Sequence, residues 1–203
     1  EPKEDNSSIY EIYDRLNTGG VNLKPQEIRA NLYSSSFYKM IYGINQDVRW
    51  RTIIGKPDED TYMRDIELIL RCFAVLVWGK EYKPSMTRFL NEFSNHAKQK
   101  FGEETVALLQ VIFEAFLTSI DGLPDNAFQN PQTRRFSIAL FEAAFVGRCT
   151  ALWNNRAAWE LPPLEHDDLQ RLANNDEFVA FLQEGTTKQK NIRGRLRKAL
   201  EIL

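Results

Sequence analysis

Residues 9–30 read IYEIYDRLNTGGVNLKPQEIRA, and the fold class follows from how this stretch starts, stops and restarts. Ser8 followed by Glu11 is a capping box, which satisfies two orphan N–H groups at a helix start. Ile9, Ile12, Tyr13 and Leu16 then recur at the i, i+3, i+4, i+7 spacing of one buried helical face. Gly19 and Gly20 stop that helix, because glycine takes the left-handed conformation that other residues resist. Pro25 opens a second helix at its first position, where a missing N–H costs nothing. Leu23 and Ile28 stand where a hydrophobic staple would clamp the entry, and Glu27 faces the positive end of the helix dipole. Between the helices, Asn17-Thr18-Gly19-Gly20 is a polar turn with exposed backbone amides, suited to holding an anion or closing a pocket.

The same periodicity continues outward. Phe37, Met40, Ile41 and Ile44 predict a short third helix. Residues 45–60 contain Gly55 and Pro57 and read as an irregular loop, with WRTII as a short extended piece. Residues 61–78 form a central helix, apolar nearly all round and therefore surrounded by other helices. Two amphipathic helices come next. Residues 85–100 turn Phe89, Leu90 and Phe93 inward; residues 103–120 do the same with Leu109, Ile112, Phe113 and Phe116, and end at Gly122 and Pro124. A polar turn, DNAFQNPQT, leads into a second heavily apolar helix at 134–153, carrying Ile138, Phe141, Phe145 and Leu152. The paired prolines of LPPL at 161–164 forbid a helix and mark a linker. Short helices at 167–173 and 176–182 precede the last one, whose inward face is Ile192, Leu196, Ala199, Leu200 and Leu203. No strand alternation persists and no internal repeat is evident. The expectation is an all-α, irregular multi-helix bundle forming a single domain. Its core spans residues 1–160, and a helical extension at 161–203 packs on that core.

Composition narrows the function. Of 203 residues, 43% are hydrophobic and 27% charged, ordinary for a globular chain, and the net charge of −2 argues against a generally basic nucleic-acid binder. Cys72 and Cys149 lie inside apolar runs, as buried thiols of a reducing cytoplasm do, with a disulfide between them as the less favoured alternative. The longest apolar run, residues 72–78, is far short of the roughly 20 residues of a membrane span. His96 and His166 are the only histidines, sit in polar surroundings and lack Cys or His partners at ligand spacing, which speaks against a zinc or HNH nuclease centre. No phosphate-binding GxxxxGK[ST] loop and no GxSxG elbow occurs. The acidic run Asp58-Glu59-Asp60 suits a helix start. No complete catalytic set is visible.

Within the first stretch, IYEIYDRLNTGG followed by LKPQEIRANLY resembles the F-x-x-x-N block of the GmrSD-type restriction endonuclease N-terminal domains. Tyr13 stands where the family has Phe, Asn17 is the block's Asn, and Lys24 replaces a more usual Ser or Thr cap. Weaker resemblances continue in the family's order: RDIELILRCFAVL at 64–76, RRFSIALFEAAF at 134–145 and TTKQKNIRGRLRKAL at 186–200. The family's ParB/sulfiredoxin-like D-G-Q-Q-R motif, thought to bind and hydrolyse nucleotide, is absent here, as is the C-terminal HNH nuclease domain many members carry. The chain begins with Glu1, and the expectation is the helical portion of a larger protein.

That resemblance implies a nucleotide-dependent, modification-sensing DNA restriction or phage-defence protein. Its partners would be the D-G-Q-Q-R-bearing part of the same protein, DNA, and an HNH nuclease domain, with an NTP and divalent metal in the parent but no cofactor in this portion. Asn17, Gly19 and Gly20 then belong to a nucleotide pocket, with Tyr13 one turn earlier, although an asparagine helix cap explains Asn17 structurally. Arg64 and Arg71 are candidates for phosphate contact. An ion-pair ladder with Glu67 is the structural alternative. Lys188, Lys190, Arg193, Arg195, Arg197 and Lys198 form a basic side on the last helix, either a solvated face or a phosphate contact for DNA. The competing function is a non-catalytic helical scaffold for another protein.

Overall fold

The two helices whose apolar residues leave no obvious outward face stand at the centre of the computed structural model. It describes residue 12 and residues 23–130, 133–157, 159–183 and 185–203. In chain order the helices of these residues are α1 (Pro25–Leu32), α2 (Ser36–Asn45), α3 (Val48–Ile53), α4 (Arg64–Trp78), α5 (Met86–Lys100), α6 (Glu103–Ser119), α7 (Ile138–Asn154), α8 (His166–Ala173), α9 (Asp176–Gln183) and α10 (Gln189–Ile202). The all-α, single-domain expectation holds.

Helix α7 packs against α4 on one side and α10 on another. Phenylalanines link the layers edge to face: Phe37 to Phe73 at 5.8 Å between ring centroids, Phe73 to Phe145 at 5.9 Å, and Phe145 to Phe116 at 5.2 Å. This geometry sets the positive ring edge on the negative face of its neighbour. Cys72 and Cys149 are free thiols buried in this core.

Several local expectations change. Residues 48–53 are helical, not extended: the Asp47 carboxylate accepts from Arg49 N–H at 2.8 Å, and fully buried Trp50 packs on Phe113 and Phe141. The β-branched and aromatic content suggests a strand, but the cap and one-sided burial decide. Helix α7 starts at Ile138 because Gln129 and Phe136 form an antiparallel bridge first, and Ser137 caps the helix by accepting from Leu140 N–H. The preceding polar turn is anchored by buried Ala127 and Phe128. Leu164, in the proline linker, is also buried and donates its N–H to Ser119 O at 2.7 Å.

The C-terminal helices share the one core. Leu169, Leu172, Phe178, Ile192 and Ala199 all join it. Helix α10 approaches α7 closely because Gly147 has no side chain: a Cβ there would lie 3.0 Å from Ala199 O. Gly194 likewise makes room for the Phe181 ring. Leu200, expected inward, is 52% exposed. The inward face instead runs Asn191, Ile192, Arg195, Ala199, a stripe that hydropathy cannot identify because an arginine occupies its middle.

Candidate functional site

Asn17, Gly19, Gly20 and Tyr13 lie outside the described residues. Ile12 is helical and 55% exposed. At the start of α1 the Glu27 carboxylate accepts from Lys24 N–H at 2.6 Å, one half of a capping box, while the lysine side chain, having no acceptor, leaves out the other. Leu23 is 39% exposed, so buried Ile28 provides the apolar anchor of the helix start.

One turn apart on α1, Gln26 and Arg29 point inward, and both are buried. Arg29 Nε donates to Asn91 Oδ1 at 2.8 Å, Nη1 donates to Gln26 Oε1, and Nη1 lies 3.3 Å from Glu67 Oε2. Beside them Tyr38 OH and Ser94 Oγ share a hydrogen bond of 3.1 Å. Burial pushes the Tyr38 hydroxyl up to about 12 against the opposing pull of Arg29, so it stays protonated and able to donate. Among the described residues Gln26 Nε2 has no hydrogen-bond partner. A buried guanidinium is tolerable only when its charge and its N–H groups are met, and here α4 and α5 meet them. Sequence reading missed this cluster, because α1 is too polar for hydropathy to locate its buried face.

Arg64 and Arg71 do not converge. Arg64 is exposed, pairs with Asp60 at 3.0 Å and lies over the Tyr62 ring at 5.6 Å. Glu67 turns to Arg29 and Arg71 to Glu142, so the expected ladder along α4 is replaced by one local pair and two contacts to other helices. Arg71 places Nε and Nη2 at 3.1 and 2.9 Å from Glu142 Oε2. Arg195 Nη2 sits 3.6 Å from Glu142 Oε1, while its Nη1 donates to Phe181 O and Thr186 O at 3.2 and 2.9 Å. Two guanidiniums thus share one carboxylate in the interior, and burial pulls the Arg195 pKa down while Glu142 pulls it up. This triad joins α4, α7 and α10.

Arg195 therefore leaves the basic side of α10: it is 1% exposed and serves packing. Arg197 pairs with Glu177 at 3.2 Å, and Lys198 with Glu177 and Glu201 at 3.2 and 2.9 Å. Arg193 is exposed and donates to Lys80 O at 2.6 Å. Lys188 and Lys190 are exposed as well. Among the described residues, these last three cations have no carboxylate partner.

His96 is half-buried against Trp78 and Phe101, at 4.6 and 5.6 Å between centroids, and burial followed by Lys100 lowers its pKa. The acidic run is structural too: just before α4 the Asp60 carboxylate accepts from Tyr62 N–H at 2.9 Å and from Arg64 Nε at 3.0 Å. Buried Asp65, held by Arg51 at 2.7 Å and Asn45 at 3.1 Å, accepts from Asp60 N–H. Among the described residues no cluster of His, Cys, Asp and Glu is arranged to hold a metal, and no helix is long and apolar enough to cross a membrane. No protein-family model, curated protein or solved structure matches the chain.

Proposed function

We propose that the chain is the helical portion of a nucleotide-dependent, modification-sensing DNA restriction or phage-defence protein, one that binds but does not hydrolyse. The observation that carries the reading is the first sequence block, N-T-G-G followed by QEIR, with three further blocks in family order. Its Gln26–Arg29 pair is compatible with a positioning role, since fixed polar contacts tie the helix after the turn to α4 and α5. Hydrolysis needs groups that polarise phosphate and orient water. The D-G-Q-Q-R-bearing part of the parent would supply them, with an NTP and divalent metal, and an HNH domain would cut the DNA. Lys188, Lys190 and Arg193 are the cations available for backbone phosphates.

Fluorescence anisotropy with labelled GTP and labelled duplex DNA tests this reading. GTP should bind and Asn17→Ala should weaken it, with no phosphate released by this chain alone. In the parent protein the same change should cut turnover by roughly ten- to a thousandfold, the effect of losing one positioned donor. Three neutralised phosphates predict DNA affinity falling about 40-fold between about 50 and 200 mM salt. Lys188→Glu, Lys190→Glu and Arg193→Glu together should abolish it. Absence of both GTP and DNA binding would leave the scaffold reading in place.

A further inference from the structure

Away from α1 and from the cations of α10, a cleft of about 820 Å³ opens between the turn before α7 and helices α8 and α9. That volume lies within the range of small-molecule sites, roughly 300–1,000 Å³. Half-buried Ala173, Val179 and Leu182 give it apolar surface, backed by buried Ala127, Leu140 and Phe178. Its walls carry six amide side chains, Gln129, Gln170 and Asn174 among them; Asn174 Nδ2 donates to Gln170 Oε1 at 3.3 Å, which leaves the Gln170 amide N–H groups and the Asn174 oxygen for other partners. Arg134 and His166 stand at the rim, both exposed, and Ser137 at the start of α7 adds the positive end of a helix dipole. No carboxylate is among the described lining residues.

This lining selects for ligand chemistry. An electropositive rim without acids disfavours cations and favours an anion, and a guanidinium fork suits phosphate. An apolar wall beside amide donors and acceptors suits a heteroaromatic ring whose edge carries both, which is how Asn and Gln read nucleobases. A neutral sugar would leave Arg134 without a role, and a bare anion would leave the amides without one. We propose that this cleft binds a nucleoside phosphate unit, the base against half-buried Ala173, Val179 and Leu182 and the phosphate at Arg134. None of its lining residues lies on α1 or α10.

Isothermal titration calorimetry with the four nucleoside 5′-monophosphates, the matching nucleosides, inorganic phosphate and a short single-stranded oligodeoxynucleotide tests it. At least one monophosphate, or the oligonucleotide, should bind saturably, and the tighter of the two identifies free nucleotide or strand as the source. Removing the phosphate, or making Arg134→Gly, should weaken binding by roughly ten- to a hundredfold, the scale of losing a hydrogen bond to a charged group. Arg134 has φ 54°, a left-handed conformation that glycine adopts without strain, so this variant removes the cation while keeping the backbone. Gln170→Ala, inside α8, should weaken binding and flatten the preference among bases. The triple reversal on α10 should leave monophosphate binding unchanged, which separates failure of this site from failure of that surface. Three results would overturn the proposal: no binding by any probe, affinity unchanged in both variants, or inorganic phosphate binding as tightly as the nucleotides.

Discussion

Replacing Glu142 by Gln removes the negative charge that two buried guanidiniums share. The carboxylate is 2% exposed and the Arg195 side chain 1%, so neither has water to fall back on, while Arg71 at 14% has little. Breaking a buried pair from one side costs about 3–5 kcal/mol, because the surviving charge keeps its desolvation penalty. For a chain of this size about 1 kcal/mol corresponds to a Tm shift of about 2–4 °C. Glu142→Gln should therefore melt between about 6 and 20 °C below the wild type in a thermal scan followed by circular dichroism. A double-mutant cycle then isolates the pair. Glu142→Met and Arg195→Met should each destabilise, and the double variant should lose less than the sum by about 1–3 kcal/mol. A Glu142→Gln melting point within about 2 °C of wild type, or strict additivity in the cycle, would refute the idea that this carboxylate holds α10 to the core.

The same electrostatics governs an acid-sensitive carboxylate and two silent thiols. Burial raises the Asp60 carboxyl, but Arg64, the Tyr62 N–H and Lys56 outweigh it and hold it at about 2. A carboxylate depressed in the folded state stabilises above its unfolded pKa of about 4, and that stability is lost as pH falls through the folded value. Asp60→Asn should thus lower Tm at pH 6, by the equivalent of about 1 kcal/mol since the Arg64 end is solvent-screened, and the gap should close by about pH 2. An equal gap at both pH values would count against the assignment. Burial also pushes both the Cys72 and Cys149 thiols well above their ordinary range, so neither should react with Ellman's reagent in the native protein and both should in denaturant. Rapid native labelling of either would contradict the packing of α4 and α7.

What the sequence made legible is what apolar spacing encodes. Helices α4 to α7 announce themselves because their buried faces are aliphatic and aromatic, and the free cysteines sit where such faces predict. Short polar elements are harder, since their burial is specified by partners distant in sequence. Helix α3 looks extended by composition until the Asp47 cap is matched with a place for Trp50 between Phe113 and Phe141. Arg29 and Arg195 are the sharper cases. A buried arginine is invisible to periodicity, and each owes its position to groups on other elements, such as the Asn91 amide for Arg29 and the Glu142 carboxylate and Phe181 carbonyl for Arg195. Arg195 therefore lies on the inward side of α10, apart from the other cations of the basic side. The consequence reaches function: with Arg195 inside and Arg197 and Lys198 held by Glu177 and Glu201, any affinity of α10 for a polyanion must come from Lys188, Lys190 and Arg193 at its N-terminal end. There the helix dipole, positive at that end, adds to the side-chain charge.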